Sequence, residues 1–203
     1  VGIHPYDIDK FDESTMEKYV NHPKCIAIGE CGLDYFRLPE DEFEKQENIK
    51  KQKEVFIAQI NFAKKVKKPL IVHIREASND SRQILIDCNA KEVGGVLHCF
   101  NASEHLLPLV EHNFYFGIGG VLTFKNAKKL VEILPQIPKD KLLIETDAPY
   151  LTPHPHRGER NEPYYTVFVA QKMAELLESS FEEIQNLTTN NAKKLFKEFS
   201  SLC

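Results

Sequence analysis

The sequence predicts an α/β fold, a (β/α)8 barrel lacking its first one or two βα units within the 203 residues of the chain. Three observations carry that expectation. Short apolar runs rich in β-forming residues alternate with longer segments of helical periodicity, the pattern of repeated βα units with right-handed crossovers. Most of these runs, such as "CIAIG", "LIV" and "LLI", are continuously apolar, which suits strands buried on both faces of a parallel sheet. Metal-capable side chains also close five of the six runs: His4, Glu30, His73, His98 and Asp147. In a barrel all strand C-termini open on one face, so the five converge; in an open doubly wound sheet they are spread along a line. A complete barrel of this class has eight strands and about 250 residues, against six units countable here.

In chain order the expected strands are Val1–His4, Cys25–Glu30, Leu70–His73, Gly95–His98, Phe114–Ile118 and Leu142–Glu145. The clearest helix spans Glu42–Lys67, where Ile49, Phe56 and Ala63 recur every seven residues beside Val55, Ile60 and Phe62. They form one apolar stripe, with Lys and Gln assigned to the solvent side. Its end falls in the Lys-rich stretch Lys64–Lys68, where the helix dipole favours cations. Further helices are expected near Ser78–Asn89, Ser103–His112, Asn126–Leu134, Tyr164–Leu177 and Asn190–Ser200. Ser180 followed by Glu183 reads as a capping box opening another short helix. Asp7, Asp9 and Asp12 are expected to cap a turn or face solvent. With no repeat, low-complexity tract or Ser/Gly linker, residues 1–203 read as a single, N-terminally incomplete barrel domain.

Composition narrows the function. Lys plus Arg number 26 and Asp plus Glu 30, a net charge of −4. That excludes a polycationic coat for long nucleic acid but not an enzyme that grips a few phosphates through metal ions. No apolar run approaches the ~18–20 residues that cross a bilayer, and no signal peptide is visible, so no membrane partner is expected. The five cysteines are scattered without a CxxC pair and read as reduced thiols of a cytoplasmic protein. The chain starts at Val1, so the natural N-terminus is expected upstream.

Taken singly, the five strand-end residues have ordinary explanations. A lone histidine is commonly a hydrogen-bonded core residue, Glu30 suits a helix N-terminus, and Asp147 suits an N-cap before Pro149. None of these explains one placement repeated five times. Neutral imidazoles with carboxylates suit Zn²⁺, Mn²⁺, Fe²⁺ or Mg²⁺ rather than Ca²⁺ or Cu(I). Cys99 is expected to face away from His98, as neighbours on a strand do. The loop "TPHPHRGERNEP" at 152–163 supplies Arg157, Arg160 and Asn161. By composition it is a solvated turn; beside a metal site its arginines become clamps for phosphate or carboxylate. Arg75 and Asp34 carry similar supporting expectations, against the plainer reading of an ordinary ion pair. "GIGG" at 117–120 is expected to let backbone approach the pocket closely.

Several longer motifs occur in order: "GIHP" at 2–5, "GECGLDY" at 29–35, "VHIREA" at 72–77, "LHCF" at 97–100, "ETDAPYLTP" at 145–153 and "RGERNEP" at 157–163. With these the chain resembles the TatD family of metal-dependent deoxyribonucleases, of the amidohydrolase-like barrel superfamily, from Gly2 to "NNAKKLF". The resemblance implies a TIM-type barrel with two divalent metal ions (Mg, Mn or Zn) at its C-terminal mouth. It implies that Glu30 bridges both ions, His73 and His98 hold the second and Asp147 holds the first. His4 would lie near the substrate phosphate, and Asp147 would orient or deprotonate the attacking water. Arg157, Arg160 and Asn161 would be substrate-side or supporting groups. One departure stands out: the family's H-x-H pair does not precede Gly2, in keeping with the shortfall of βα units.

The expected activity is metal-dependent hydrolysis of DNA phosphodiester bonds, an exonuclease on single strands or duplex ends. The same ligand set serves amide and ester hydrolysis in related barrels, so a metal-dependent amidohydrolase or deacylase is the enzyme alternative. A non-catalytic fragment is the alternative outside enzymology.

Overall fold

The computed structural model describes residues 1–197. Five strands, β1 (Ile28–Asp34), β2 (Leu70–Arg75), β3 (Gly95–Leu97), β4 (Phe114–Ile118) and β5 (Leu142–Ile144), form one sheet in the order β1-β2-β3-β4-β5. Every pairing is parallel. Each strand therefore pairs with its neighbour in sequence, with no reversal of order. A doubly wound sheet reverses at a switch point, whereas a (β/α) barrel advances in one direction. The sheet is accordingly an arc of a TIM-type barrel. The expected bounds are met in β2 to β5 to within a few residues, because parallel strands buried on both faces are written as uninterrupted apolar runs.

The first two expected strands differ from the structure. Val1–His4 is extended but outside the sheet. Its Val1 carbonyl accepts from Gly29 N–H at 3.0 Å. Both backbone groups of Ile3 bond instead to the Gln59 side-chain amide, at 2.7 and 2.9 Å. The second strand begins at Ile28 and runs on to Asp34, so Glu30 lies within β1 and not at its end. A shift of register between Ile28 and Cys31 marks a bulge at Glu30, a device that re-aims a side chain.

Six α-helices cover the sheet among the described residues: α1 (Glu13–Val20), α2 (Glu42–Val66), α3 (Ser78–Asp87), α4 (Lys128–Ile133), α5 (Thr166–Leu176) and α6 (Phe181–Leu195). The first was not expected; Asp12, read only as a turn cap, accepts from Ser14 N–H and starts it. Helix α2 ends at Val66, with Lys67 in the left-handed conformation as C-cap. Its Phe56, Ile60, Phe62 and Ala63 are buried as expected, but Gln52 and Gln59 are buried too, at 2% and 1% exposure. They face inward because each amide satisfies a backbone donor and acceptor, Gln52 on Asp34 and Gln59 on Ile3. Segment Glu104–His112 forms 3-10 turns and not an α-helix. Its internal Pro108 has no N–H to give to an α ladder. The Ser180 capping box is present and opens α6, one continuous helix where two were expected. The expected helix Asn190–Ser200 thus merges with it to Leu195, and its last three positions lie outside the described residues.

The two sheet faces have different occupants. Leu70, Val72, Leu97, Phe114, Phe116 and Leu142 belong to the main core with residues of α2 to α5. Val96, Tyr115 and Leu143, with Ile71, form a smaller cluster against Leu195 and Ala192 of α6. Alternation along β2 places His73 on the face of Ile71, and His98 follows directly on β3. The smaller cluster is therefore the apolar floor beneath the polar side chains at the strand ends.

Candidate metal centre

At the C-terminal end of the strands lies a cavity of about 980 Å³, lined among others by His4, Glu30, His73, His98 and Asp147. The five strand-end residues singled out in the sequence thus share one cavity, although they come from four separate segments of sheet and the N-terminal stretch. Glu30 is central. Its Oε1 lies 2.8 Å from His73 Nδ1 and 3.8 Å from His98 Nε2. Asp147, three residues beyond β5, brings Oδ1 to 3.3 Å from His98 Nε2.

Behind each imidazole stands a second carboxylate outside the cavity lining. His73 Nε2 meets Asp34 Oδ2 at 2.9 Å, and the Asp34 side chain is fully buried. His98 Nδ1 is held by Glu145 Oε2, which also accepts from Cys99 N–H at 3.1 Å. Both histidines therefore sit between an inner and an outer carboxylate. In a carboxylate–imidazole–metal unit the outer partner fixes the ring and its tautomer while the other nitrogen faces the ion.

Close backbone packing makes room for the outer pair. Gly32 pairs with His73 across the sheet. A Cβ there would come within 2.0 Å of the His73 carbonyl oxygen, and φ is +147°. A Cβ on Gly119 would lie 2.7 Å from Glu145 Oε1. The "GIGG" glycines thus admit the Glu145 side chain as well as backbone.

Electrostatics follow from these contacts. Burial disfavours charge on His98, but hydrogen bonds to Asp147 and Glu145 override it and raise its pKa to about 10. Burial opposes charge on His73 likewise, and Glu30 and Asp34 raise its pKa above the ordinary value. Burial pushes Glu30 and Asp34 up, but their bonds to His73 and further partners bring both below the usual carboxylate range. The His98 hydrogen bond lowers Asp147. Four carboxylates thus crowd two imidazoles in a partly dry site. Imidazole with carboxylate oxygen is a donor set that fits divalent metal.

His4 behaves differently. With Glu30 and His73 it forms a group whose ligand atoms lie within 4.8 Å of one another. However, its Nδ1 accepts from Tyr6 N–H at 3.1 Å, and burial followed by the His73 charge lowers its pKa. A neutral ring accepting at Nδ1 carries its proton on Nε2 and offers a hydrogen-bond donor there, not a lone pair.

The remaining expected residues separate into two groups. Arg75 lines the cavity with its guanidinium 3.6 Å from the Phe36 ring centroid. Arg157, Arg160 and Asn161 are not among the lining residues. Arg157 stacks on Phe124 at 3.9 Å and donates to Thr152 O, and Arg160 is exposed. Asn161 is buried, donating to Thr146 Oγ1 and Tyr150 O, and so braces the turn that carries Asp147. Cys99, expected to face away, lines the same cavity as His98. Strand β3 ends at Leu97 and Cys99 adopts φ +44°, so strand alternation no longer applies. Burial pushes its thiol up to about 12, which keeps it protonated and a poor ligand. Glu145, the last residue of the expected strand Leu142–Glu145, was missed in the sequence because the strand-end ligand expected there is Asp147, two residues on.

The sequence model of the family described as TatD related DNase matches residues 1–197. A protein of Bacillus subtilis (strain 168) named uncharacterized metal-dependent hydrolase YabD is 48% identical over 203 residues, covering 97% of this chain and 76% of its own length. The protein of Escherichia fergusonii named 3'-5' ssDNA/RNA exonuclease TatD is 36% identical over 208 residues, covering 96% and 76%. The crystal structure of YJJV, a TatD homolog from Escherichia coli K12, superposes with a TM-score of 0.84 at 27% identity, covering 97% of this chain and 75% of that one.

Proposed function

The chain belongs to the TatD related DNase family of metal-dependent hydrolases, and on that premise we propose that it hydrolyses phosphodiester bonds of DNA as an exonuclease on single strands or frayed ends. The observation that carries the reading is the Glu30 carboxylate, with one oxygen facing both His73 and His98 at the floor of an open cavity. The exonuclease name of the Escherichia fergusonii relative supports the substrate class.

Glu30, His73, His98 and Asp147 would hold two divalent ions (Mg, Mn or Zn), Glu30 serving both. When bound, such ions would lower the pKa of a nearby water and neutralise charge on the phosphate. Asp34 and Glu145 keep the two imidazoles oriented. Asp147, held ionised beside His98 and part-exposed to the cavity, accepts the proton of the attacking water. His4 donates its Nε2 proton to a phosphate oxygen. Arg75 contributes positive charge at the rim, while Arg157, Arg160 and Asn161 act through the turn beneath Asp147. The described residues would form an arc of a single hydrolase barrel domain. No described helix is long and apolar enough to cross a membrane, and Cys25, Cys31, Cys88 and Cys99 are free thiols, which supports a cytoplasmic setting.

End-labelled single-stranded DNA incubated with the purified protein and Mg²⁺, Mn²⁺ or Zn²⁺ should be shortened from one end, and chelation should stop the reaction. Cleavage of amide or ester small molecules with DNA untouched would move the assignment to an amidohydrolase.

A further inference from the structure

At the edge of the cavity, Tyr6 in its lining and Phe36 just outside it, two aromatic rings lie open to solvent in a chain that buries most of its large apolar side chains. Tyr6 is 45% exposed and Phe36 49%. Each carries an arginine on its face: Arg37 lies 5.7 Å from the Tyr6 ring centroid and Arg75 3.6 Å from that of Phe36. Tyr6, Arg37 and Arg75 line the cavity. Among the described residues neither guanidinium forms an ion pair with a carboxylate. Both positive charges are thus free to meet an anion although the whole chain is acidic.

This wall is tied to the metal centre through one buried group. Asp34, which holds His73, also accepts from Phe36 N–H at 2.9 Å. The Tyr6 ring meets His4 edge to face at 4.9 Å, and His4 meets His73 in the same way at 4.5 Å. Both arginine–aromatic pairs are therefore anchored to the His73 side of the site, Phe36 through Asp34 and Tyr6 through His4.

We propose that Tyr6–Arg37 and Phe36–Arg75 form a stacking rim that binds the single-stranded nucleic acid segment next to the scissile phosphate. The rings take unpaired bases on their faces and the guanidinium groups take the adjoining phosphates. Stacking tolerates any sequence because every base has a π-face, and it requires bases that are not already stacked in a duplex. The rim thereby supplies the preference for single strands. This inference rests on the nuclease reading of the same cavity.

The test compares wild type with Phe36→Ala, Phe36→Leu, Phe36→Tyr and Arg75→Ala on a short single-stranded oligonucleotide and on a p-nitrophenyl ester of thymidine 5'-phosphate. In parallel, fluorescence anisotropy in EDTA follows binding of the oligonucleotide and of a base-free phosphodiester of equal length. Phe36→Ala and Phe36→Leu should each lose about tenfold in oligonucleotide kcat/KM through KM, at least about fivefold more than on the small diester. Phe36→Tyr should restore most of the loss. The same two variants should weaken oligonucleotide binding and leave the base-free chain bound as in wild type. Arg75→Ala should weaken both ligands and lower the salt slope by about one. Equal losses on both substrates, or tight oligonucleotide binding by Phe36→Leu, overturn the rim. If wild type cleaves neither substrate with any metal, the nuclease reading fails, and the anisotropy comparison alone decides the rim.

Discussion

His73 and His98 are held by the same device, an inner and an outer carboxylate on opposite ring nitrogens, yet the two halves of the site are finished differently. On the β1/β2 side Asp34 is wholly buried and each of its two oxygens has a partner, His73 Nε2 on one and Phe36 N–H on the other. On the β3/β5 side Glu145 uses Oε2 for His98 and Cys99, while its buried Oε1 has no hydrogen-bond partner among the described residues. Its inner partner Asp147 stands on a turn with 36% of the side chain exposed. A buried acceptor without a partner is costly, and a group on a turn is less firmly placed than one on a strand. The first half is complete without a cation; the second gains most from one.

The largest effect should come from the one residue the halves share. Glu30→Gln removes the inner carboxylate of His73 and the one that His98 shares with it, leaving Asp147 alone on the second half, so metal content should fall from two equivalents to none measurable. Activity should drop by more than the about 10–100-fold that loss of an outer partner costs. Plasma emission analysis of the dialysed protein, together with the DNA assay, checks this. A variant retaining one tightly bound ion would show that the two halves are independent.

Removing the outer partners separates the halves. Asp34→Asn and Glu145→Gln should each weaken metal binding by about 10–100-fold, seen by calorimetric titration. Only Asp34→Asn should also lower the stability of the metal-free protein substantially, by about 1–3 kcal/mol, because its single amide oxygen can serve His73 or Phe36 N–H but not both. Equal destabilisation by both variants would erase the contrast.

The pH dependence tests the proton count. In the metal-free protein His73 and His98 have pKa values raised above 6.5, His98 to about 10. Raised histidines stabilise the fold fully below pH 6.5 and lose that contribution as pH climbs toward 10. Glu30 and Asp147, lowered from 4.5 and 3.8, contribute above those values and lose their contribution as pH falls through the lowered ones. Stability of the metal-free chain should therefore peak between about pH 4.5 and 6.5. Metal binding needs neutral imidazole and must expel these protons, so the rise in Tm on adding Mn²⁺ should grow from pH 6 to pH 9. A rise independent of pH would mean that neither histidine is a ligand.

The inner layer of this site was legible in the sequence because parallel strands place their ends on one face. A residue closing an apolar run such as "LIVH" or "GVLH" is thereby assigned to the cavity without any knowledge of its neighbours. The outer layer was less legible. Asp34 was marked only by its distance from Glu30, and Glu145 was passed over for Asp147. Their roles depend on close approach between strands, through Gly32 and Gly119, which no single stretch of sequence expresses. The same holds for Gln52 and Gln59, polar letters on the buried face of α2 whose partners lie on distant backbone. Glu30 was found for an incomplete reason: the bulge in β1, and not a strand end, turns it inward.

The smallest expected effect sets the boundary of the comparison. His105 has the same chemistry as His73 and His98 but follows no strand; it sits exposed in the 3-10 segment Glu104–His112. Only its backbone is used, the carbonyl accepting from Arg82 at 3.3 Å. With no inner or outer carboxylate, its side chain has neither a fixed tautomer nor a cation to share. His105→Ala should therefore change stability by less than about 0.5 kcal/mol and leave metal content at the wild-type value, measured by thermal melting and metal analysis on the same preparation. A loss of metal in this variant would mean that imidazole alone, without its pair of carboxylates, suffices to recruit an ion in this chain. The contrast between the two halves would then say nothing about where the ions sit.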